Sequence, residues 1–171
     1  FGRDTSLEYD QNGRLNKITD MIGIVSAFQY NNEFINQMTT PYGTTSFISE
    51  EQADNNFSAL ETHFPMGEKE RVEFRQNVAA IYPSGYYGAE PIVPSGIPVF
   101  NEYMKYRNTF YWDKKAMQDA PGDYTKAKIY HWLHGSSDIN ELYQTAPILE
   151  SIKEPLENRA WYYYQHEDNY N

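Results

Sequence analysis

Apolar and polar side chains alternate with a period of two along the first third of the chain. Thr5, Leu7 and Tyr9 alternate with Ser6, Glu8 and Asp10, and after Asn12-Gly13 the residues Leu15, Ile18, Ile24 and Phe28 follow in short apolar–polar runs. Successive side chains of a strand point to opposite faces, so this pattern predicts half-buried strands. Asn-Gly between two alternating runs is a hairpin signal. A type I′ turn needs positive φ at both central residues, which Asn and Gly tolerate. Residues 5–10 and 14–20 are therefore expected to pair antiparallel across a type I′ turn at Asn12-Gly13. Gly23 and Gly43 mark the next turns, and residues 24–30, 35–40 and 44–49 continue as strands.

The pattern repeats. Ile18, Thr19, Gly23 and Ser26 are answered twenty residues later by Met38, Thr39, Gly43 and Ser46. A fixed internal period marks a stacked architecture in which each unit is a structural element, which argues against assigning its residues to an active site. A third, degenerate unit aligns on Gly67, with 62–67 matching 39–43 in shape. Residues 68–75 then read as a strand, Val72 and Phe74 on one face and Arg71, Glu73 and Arg75 on the other. The acidic stretch 49–57 reads as a surface loop.

Beyond Asn77 the repeat stops. Residues 79–100 hold Pro83, Pro91, Pro94 and Pro98 among Gly85, Gly88 and Gly96, a composition for extended or turning backbone. Ile81, Tyr82, Tyr86, Tyr87, Ile92, Val93 and Val99 give it much to bury, so an ordered excursion clamped across the sheet is expected. Residues 101–107 read as a short helix or turn, 108–112 as a strand and 113–118 as a brief helix. Residues 126–134 fit a helix face through Ile129, Trp132 and Leu133, and fit a strand equally well by alternation. Residues 147–153 read as a connecting segment, 159–164 as a further strand and 166–171 as a frayed tail. The organisation is hairpin repeats over 1–77, a Pro/Gly-rich excursion with a short strand and helix over 78–125, and further strands with a polar tail over 126–171. The fold class is mainly β: a curved antiparallel sheet of repeated hairpins, with one long loop and short helices at most.

Composition narrows the chemistry. The 171 residues carry 24 Asp and Glu against 14 Lys and Arg, a net charge of −10 that disfavours nucleic acid and anionic membranes. No Cys is present, which removes disulfides and thiolate metal sites, and no apolar run is long enough to span a bilayer as a helix. The 16 tyrosines suit a sheet with one wet face; exposed rings such as Tyr86 and Tyr87 are the candidates for stacking on sugar. His131 and His134 could share a metal only if 126–134 were helical, and no third ligand motif accompanies them. Nucleophile-elbow, dinucleotide and phosphate-loop patterns are absent, and the acidic pairs Glu50-Glu51 and Glu68/Glu70 read as a solvated face. No cofactor, metal or catalytic residue is expected, and the chain is not expected to be an enzyme.

Tyr9-Asp10-Gln11-Asn12-Gly13-Arg14-Leu15 followed by Thr19-Asp20 and Gly23 resembles the YD repeat of the bacterial Rhs family. Tyr30, Thr39, Gly43 and Gly67 carry the weaker units, with Asn31 where the family has Asp. Residues 69–73, 106–113, 121–124, 129–134 and 156–159 also look like segments of one subgroup of Rhs-repeat proteins, so the resemblance covers most of the chain. It implies strand for 126–134 and a piece of a large hollow shell that encloses a C-terminal toxin. The implied partners are the rest of the parent shell and its passenger, in a secreted or cell-surface setting. No Asp-Pro dipeptide of the family's self-cleaving segment occurs here, so the piece reads as shell and not cargo. The alternative the resemblance leaves is a carbohydrate-binding or adhesion module using exposed Tyr and Trp.

Overall fold

The computed structural model describes residues 4–52, 56–77, 104–134 and 145–164. These residues build one antiparallel sheet of eleven strands whose spatial order is their sequence order, and the sheet does not close. The strands are β1 (Ser6–Tyr9), β2 (Leu15–Thr19), β3 (Val25–Asn31), β4 (Phe34–Thr40), β5 (Gly43–Glu51) and β6 (Phe57–His63). They continue as β7 (Lys69–Asn77), β8 (Tyr106–Trp112), β9 (Lys128–His134), β10 (Thr145–Lys153) and β11 (Ala160–Trp161). Between β8 and β9 a helix α1 (Lys114–Asp119) and a 3-10 turn (Tyr124–Lys126) fold back onto β7 and β8. Asp113 starts α1 by accepting a hydrogen bond from the Ala116 amide at 2.8 Å, satisfying one of the helix's orphan donors.

Several expectations are corrected in detail. Only Gly13, at φ 80°, has positive φ in the first hairpin, so the turn is not type I′. The Gly13 amide donates to the Asp10 carbonyl at 3.0 Å and the Asp10 amide to the Arg14 carbonyl at 2.8 Å. This is a type I turn followed by a left-handed Gly, the solution for a longer hairpin loop. Gly43 is the first residue of β5 and not part of a loop like that of Gly23. The region 49–57 is not all loop: β5 runs to Glu51 and β6 begins at Phe57. Tyr106 and Arg107 already belong to β8, and 147–153 is strand β10 and not a connection. Only Ala160–Trp161 of the expected final strand pairs. Residues 128–134 are strand, which settles the ambiguity left by periodicity. The excursion 78–103, with Tyr86 and Tyr87, and the tail 165–171 lie outside the described residues.

The core lies under α1. Phe110 and Trp112 of β8 and Ile129 of β9 are fully buried with Ala127, and Ala116, Met117 and Tyr124 pack on them. The Tyr124 ring meets Phe110 edge-on at 4.7 Å and Trp112 at 5.2 Å, the geometry aromatic quadrupoles favour. The Trp112 indole donates to the Asp123 carbonyl at 2.9 Å, so its polar atom is satisfied. The rest of the sheet is thinner: the strands from β1 to β4 hold no fully buried residue.

Candidate functional site

The repeat residues gather into turns. Asp10 Oδ1 accepts from the amides of Asn12 at 2.8 Å and Arg14 at 2.9 Å. Its Oδ2 takes the Arg14 Nε at 2.8 Å and Nη2 at 2.7 Å. Hydrogen bonds from the Arg14 backbone and side chain hold the Asp10 carboxyl below its ordinary range. Arg14 then crosses to the next hairpin. It donates to the Asn32 carbonyl, and its guanidinium lies 4.7 Å from the centroid of the Tyr30 ring. Tyr30 in turn donates from its hydroxyl to the Leu15 carbonyl at 2.7 Å. The motif residues Asp10, Gly13, Arg14, Leu15 and Tyr30 thus form one latch that ties the first hairpin to the second.

At the opposite end of β2, Asp20 plays the part of Asp10. Its Oδ1 accepts from Ile22 and Ile24 amides, both at 2.9 Å, around Gly23 at φ 87°. Gly67, at φ 93°, closes the same backbone turn between β6 and β7, where Phe64 stands in the Asp position. Gly43 touches its neighbour: a Cβ there would lie 2.5 Å from Pro65 Cβ, so adjacent turns interlock. Thr39 Oγ1 and Thr44 Oγ1 share a hydrogen bond at 3.0 Å across β4 and β5, while Thr19 pairs with Val25. Tyr9 ends β1 and is 58 % exposed. The structure therefore places the motif residues at both ends of the hairpins and brings them together in none as a reactive site.

Two polar clusters escaped the sequence reading. In the first, Glu73 is 3 % exposed and accepts from Arg71 Nε at 3.0 Å and Nη2 at 2.9 Å, from Arg75 Nε at 2.7 Å, and from the Tyr124 hydroxyl. Burial pushes the Glu73 carboxyl up, but the bonds from Tyr124, Arg75 and Arg71 outweigh it and the net shift is downward. Burial and the Glu73 charge push the Tyr124 phenol up to about 12. Arg71 reaches on to Glu50 at 2.8 Å, so that carboxylate is paired and not simply solvated. The only signal in the sequence was the alternation of opposite charges on one strand face.

In the second, Asn108, His131, Glu150 and Ser151 are all buried where β8, β9 and β10 meet. His131 lies opposite Asn108 on one side and Ser151 on the other. Glu150 has no counterpart on β9: Leu149 opposes Trp132 and Ser151 opposes His131, so Glu150 is the extra residue of a β-bulge, a device that re-aims a side chain. No spacing rule in the sequence signals such a bulge. None of these four groups is open to a substrate.

Among the described residues no three His, Cys, Asp or Glu side chains gather as metal ligands, and no helix is long and apolar enough to cross a membrane. A shallow depression of about 240 Å³ lies at β3–β5 between Asn31, Phe34, Phe47 and Ser49, and no ionisable side chain lines it. Comparison with protein-family models and with curated proteins finds no match to the chain.

Proposed function

We propose that this chain is a structural wall segment of a YD-repeat shell that encloses and helps export a C-terminal toxin passenger, and that it catalyses no reaction. The observation that carries the reading is the latch from Asp10 through Arg14 to Tyr30 and the Asn32 carbonyl. It spends the most distinctive residues of the repeat on joining one hairpin to the next. A sheet whose strands follow sequence order gains a unit by adding a hairpin at its edge, with no change elsewhere. Among the described residues β1 and β11 each have one neighbour, so both ends of the meander have a side on which a further strand can pair. A secreted or cell-surface location belongs to the same proposal.

The test is the parent reading frame on both sides of the chain. Further Tyr-Asp…Gly-Arg units, followed by an Asp-Pro-rich segment and an unrelated tail, are the expected result. A frame with no more units would overturn enclosure, since the sheet built by the described residues does not close.

A further inference from the structure

An antiparallel meander in sequence order sends alternate connections to opposite rims of its sheet. The connections β2–β3, β4–β5, β6–β7 and β10–β11 therefore share one rim. Each holds an apolar side chain out into solvent: Ile22 is 77 % exposed, Tyr42 81 %, Met66 89 % and Leu156 93 %. Among the described residues no other large apolar side chain exceeds 63 %. The opposite rim is built differently. Its two fully described connections, Asp10-Gln11-Asn12-Gly13-Arg14 and Asn32-Glu33, contain no apolar residue.

The turn itself does not require apolar tips. Asp10 and Asp20 build the same loop, one at each rim: the carboxylate accepts from the amides two and four residues on, and a glycine amide three residues on donates to the Asp carbonyl. Between Asp and Gly, one loop carries Gln11-Asn12 and the other Met21-Ile22. The same backbone thus accepts polar tips at one rim and holds apolar ones at the other. The third turn, Phe64-Pro65-Met66-Gly67, closes by the same glycine bond with Met66 at its tip. We propose that this apolar rim is a lipid-docking edge, whose tips Ile22, Tyr42 and Met66 enter the headgroup–acyl boundary of an uncharged, zwitterionic bilayer.

Shape and charge select this occupant. Two strand spacings separate successive turns, so the three tips stand about 10 Å apart as separate points. Adjacent turns touch, since a Cβ on Gly43 would strike Pro65, so Tyr42 and Met66 project from one continuous edge. A rigid protein surface would meet only the points, whereas a stable protein interface needs about 800 Å² of continuous contact per partner. A fluid interface closes around each tip, and an apolar side chain with a phenol among the tips suits its graded polarity. The three tip segments 21–23, 41–42 and 64–67 hold no charged residue. Asp20 spends its carboxylate on the Ile22 and Ile24 amides. Glu68 is paired with Lys114 at 3.9 Å, and the Lys114 ammonium lies 3.9 Å from the Phe64 ring centroid. The chain's net charge of −10 rules against an anionic surface, and these uncharged tips fit a zwitterionic one.

The test is co-sedimentation of the full chain with phosphatidylcholine vesicles at about 0.1 M and about 0.5 M salt. Wild type should bind, and equally at both, because no charge attraction drives it. The triple variant Ile22→Ser, Tyr42→Ser, Met66→Ser keeps Asp20 and every turn glycine, and should bind at least about tenfold more weakly. Phe34→Ser removes a ring that is 58 % exposed at the opposite rim and should bind as wild type does. Tyr42→Trp gives a readout that needs no loss of binding: vesicles should shift the added indole emission to the blue as the tip leaves water. Wild type left in the supernatant, a triple variant that binds like wild type, binding lost in high salt, equal weakening by Phe34→Ser, or no blue shift would each overturn the proposal. So would a wild type that ignores vesicles and self-associates through the same three tips, since the rim would then meet a second copy.

Discussion

Glu73 shows how much of this sheet rests on single polar residues. Its carboxylate is buried among Arg71, Arg75 and Tyr124, which arrive from its own strand and from the 3-10 turn. Breaking a charged hydrogen bond costs about 1.5–3 kcal/mol, so Tyr124→Phe should lower unfolding stability by that amount at pH 7. The packing on Phe110 and Trp112 would remain, because the ring is kept. The loss has a defined pH dependence. Glu73 titrates below an unfolded Glu, so its contribution is present above about pH 4.3 and is lost as pH falls through the folded value. The gap between Tyr124→Phe and wild type should therefore narrow in acid, which paired urea titrations at pH 7 and pH 3.5 would measure. Residue-scale chemistry was the least legible level of this sequence. Alternation puts Arg71, Glu73 and Arg75 on one face, but it does not report whether something covers that face. The cover, α1 with Tyr124, comes from a segment some fifty positions away.

At the scale of elements the turns were easier to read than the strands between them. Asp10, Gly13, Asp20, Gly23 and Gly67 announce hairpins because only a few residue types satisfy a tight turn. The type of turn was misread because Asn12 keeps negative φ while the Asp10 carboxylate organises the loop. Strand β10 was missed for a related reason. Pro147 argues against a strand interior, yet it falls where the register to β9 jumps between Thr145 and Leu149 and no ladder donor is needed. Bulges also recur where the repeat does. Asn16 is the unmatched residue opposite Glu8-Tyr9, and Asn36, twenty positions on, is unmatched opposite Gln29-Tyr30. Each bends its strand at the same place in the unit. The glycines test this reading. Gly13→Ala meets nothing within 4 Å and should cost about 1–2 kcal/mol from its left-handed backbone alone. Gly43→Ala should cost more, since its Cβ would strike Pro65 as well. In a Pro65→Ala background that excess should shrink, a coupling that a double-mutant cycle on thermal unfolding would resolve.

At the scale of the molecule, the sequence made the mainly-β class plain through period and turn spacing, but it did not show where the interior would be. An open sheet has two faces, and among the described residues the aromatic rings that are completely buried, Phe110 and Trp112, lie beneath α1. Among the described residues, β1 to β4 hold no fully buried side chain, and strand pairing and the latch at Arg14 tie them together. This leaves β1 as the exposed flank of the meander: all four of its residues are exposed, with Leu7 at 51 % and Tyr9 at 58 %. An unprotected edge offers unpaired amides and carbonyls to any strand of matching length, and a natural sheet guards such an edge with Lys, Pro or a covering element. Here Glu8, paired with Lys17 at 2.7 Å, is the one charge on the strand. The isolated chain should therefore self-associate as its concentration rises. Leu7→Lys, which adds a charge without removing a backbone group, should weaken that association by roughly tenfold or more, about 1.4 kcal/mol. Sedimentation velocity of both proteins over a concentration series would decide it. A wild type that stays monomeric throughout would mean that β1 is not a pairing edge.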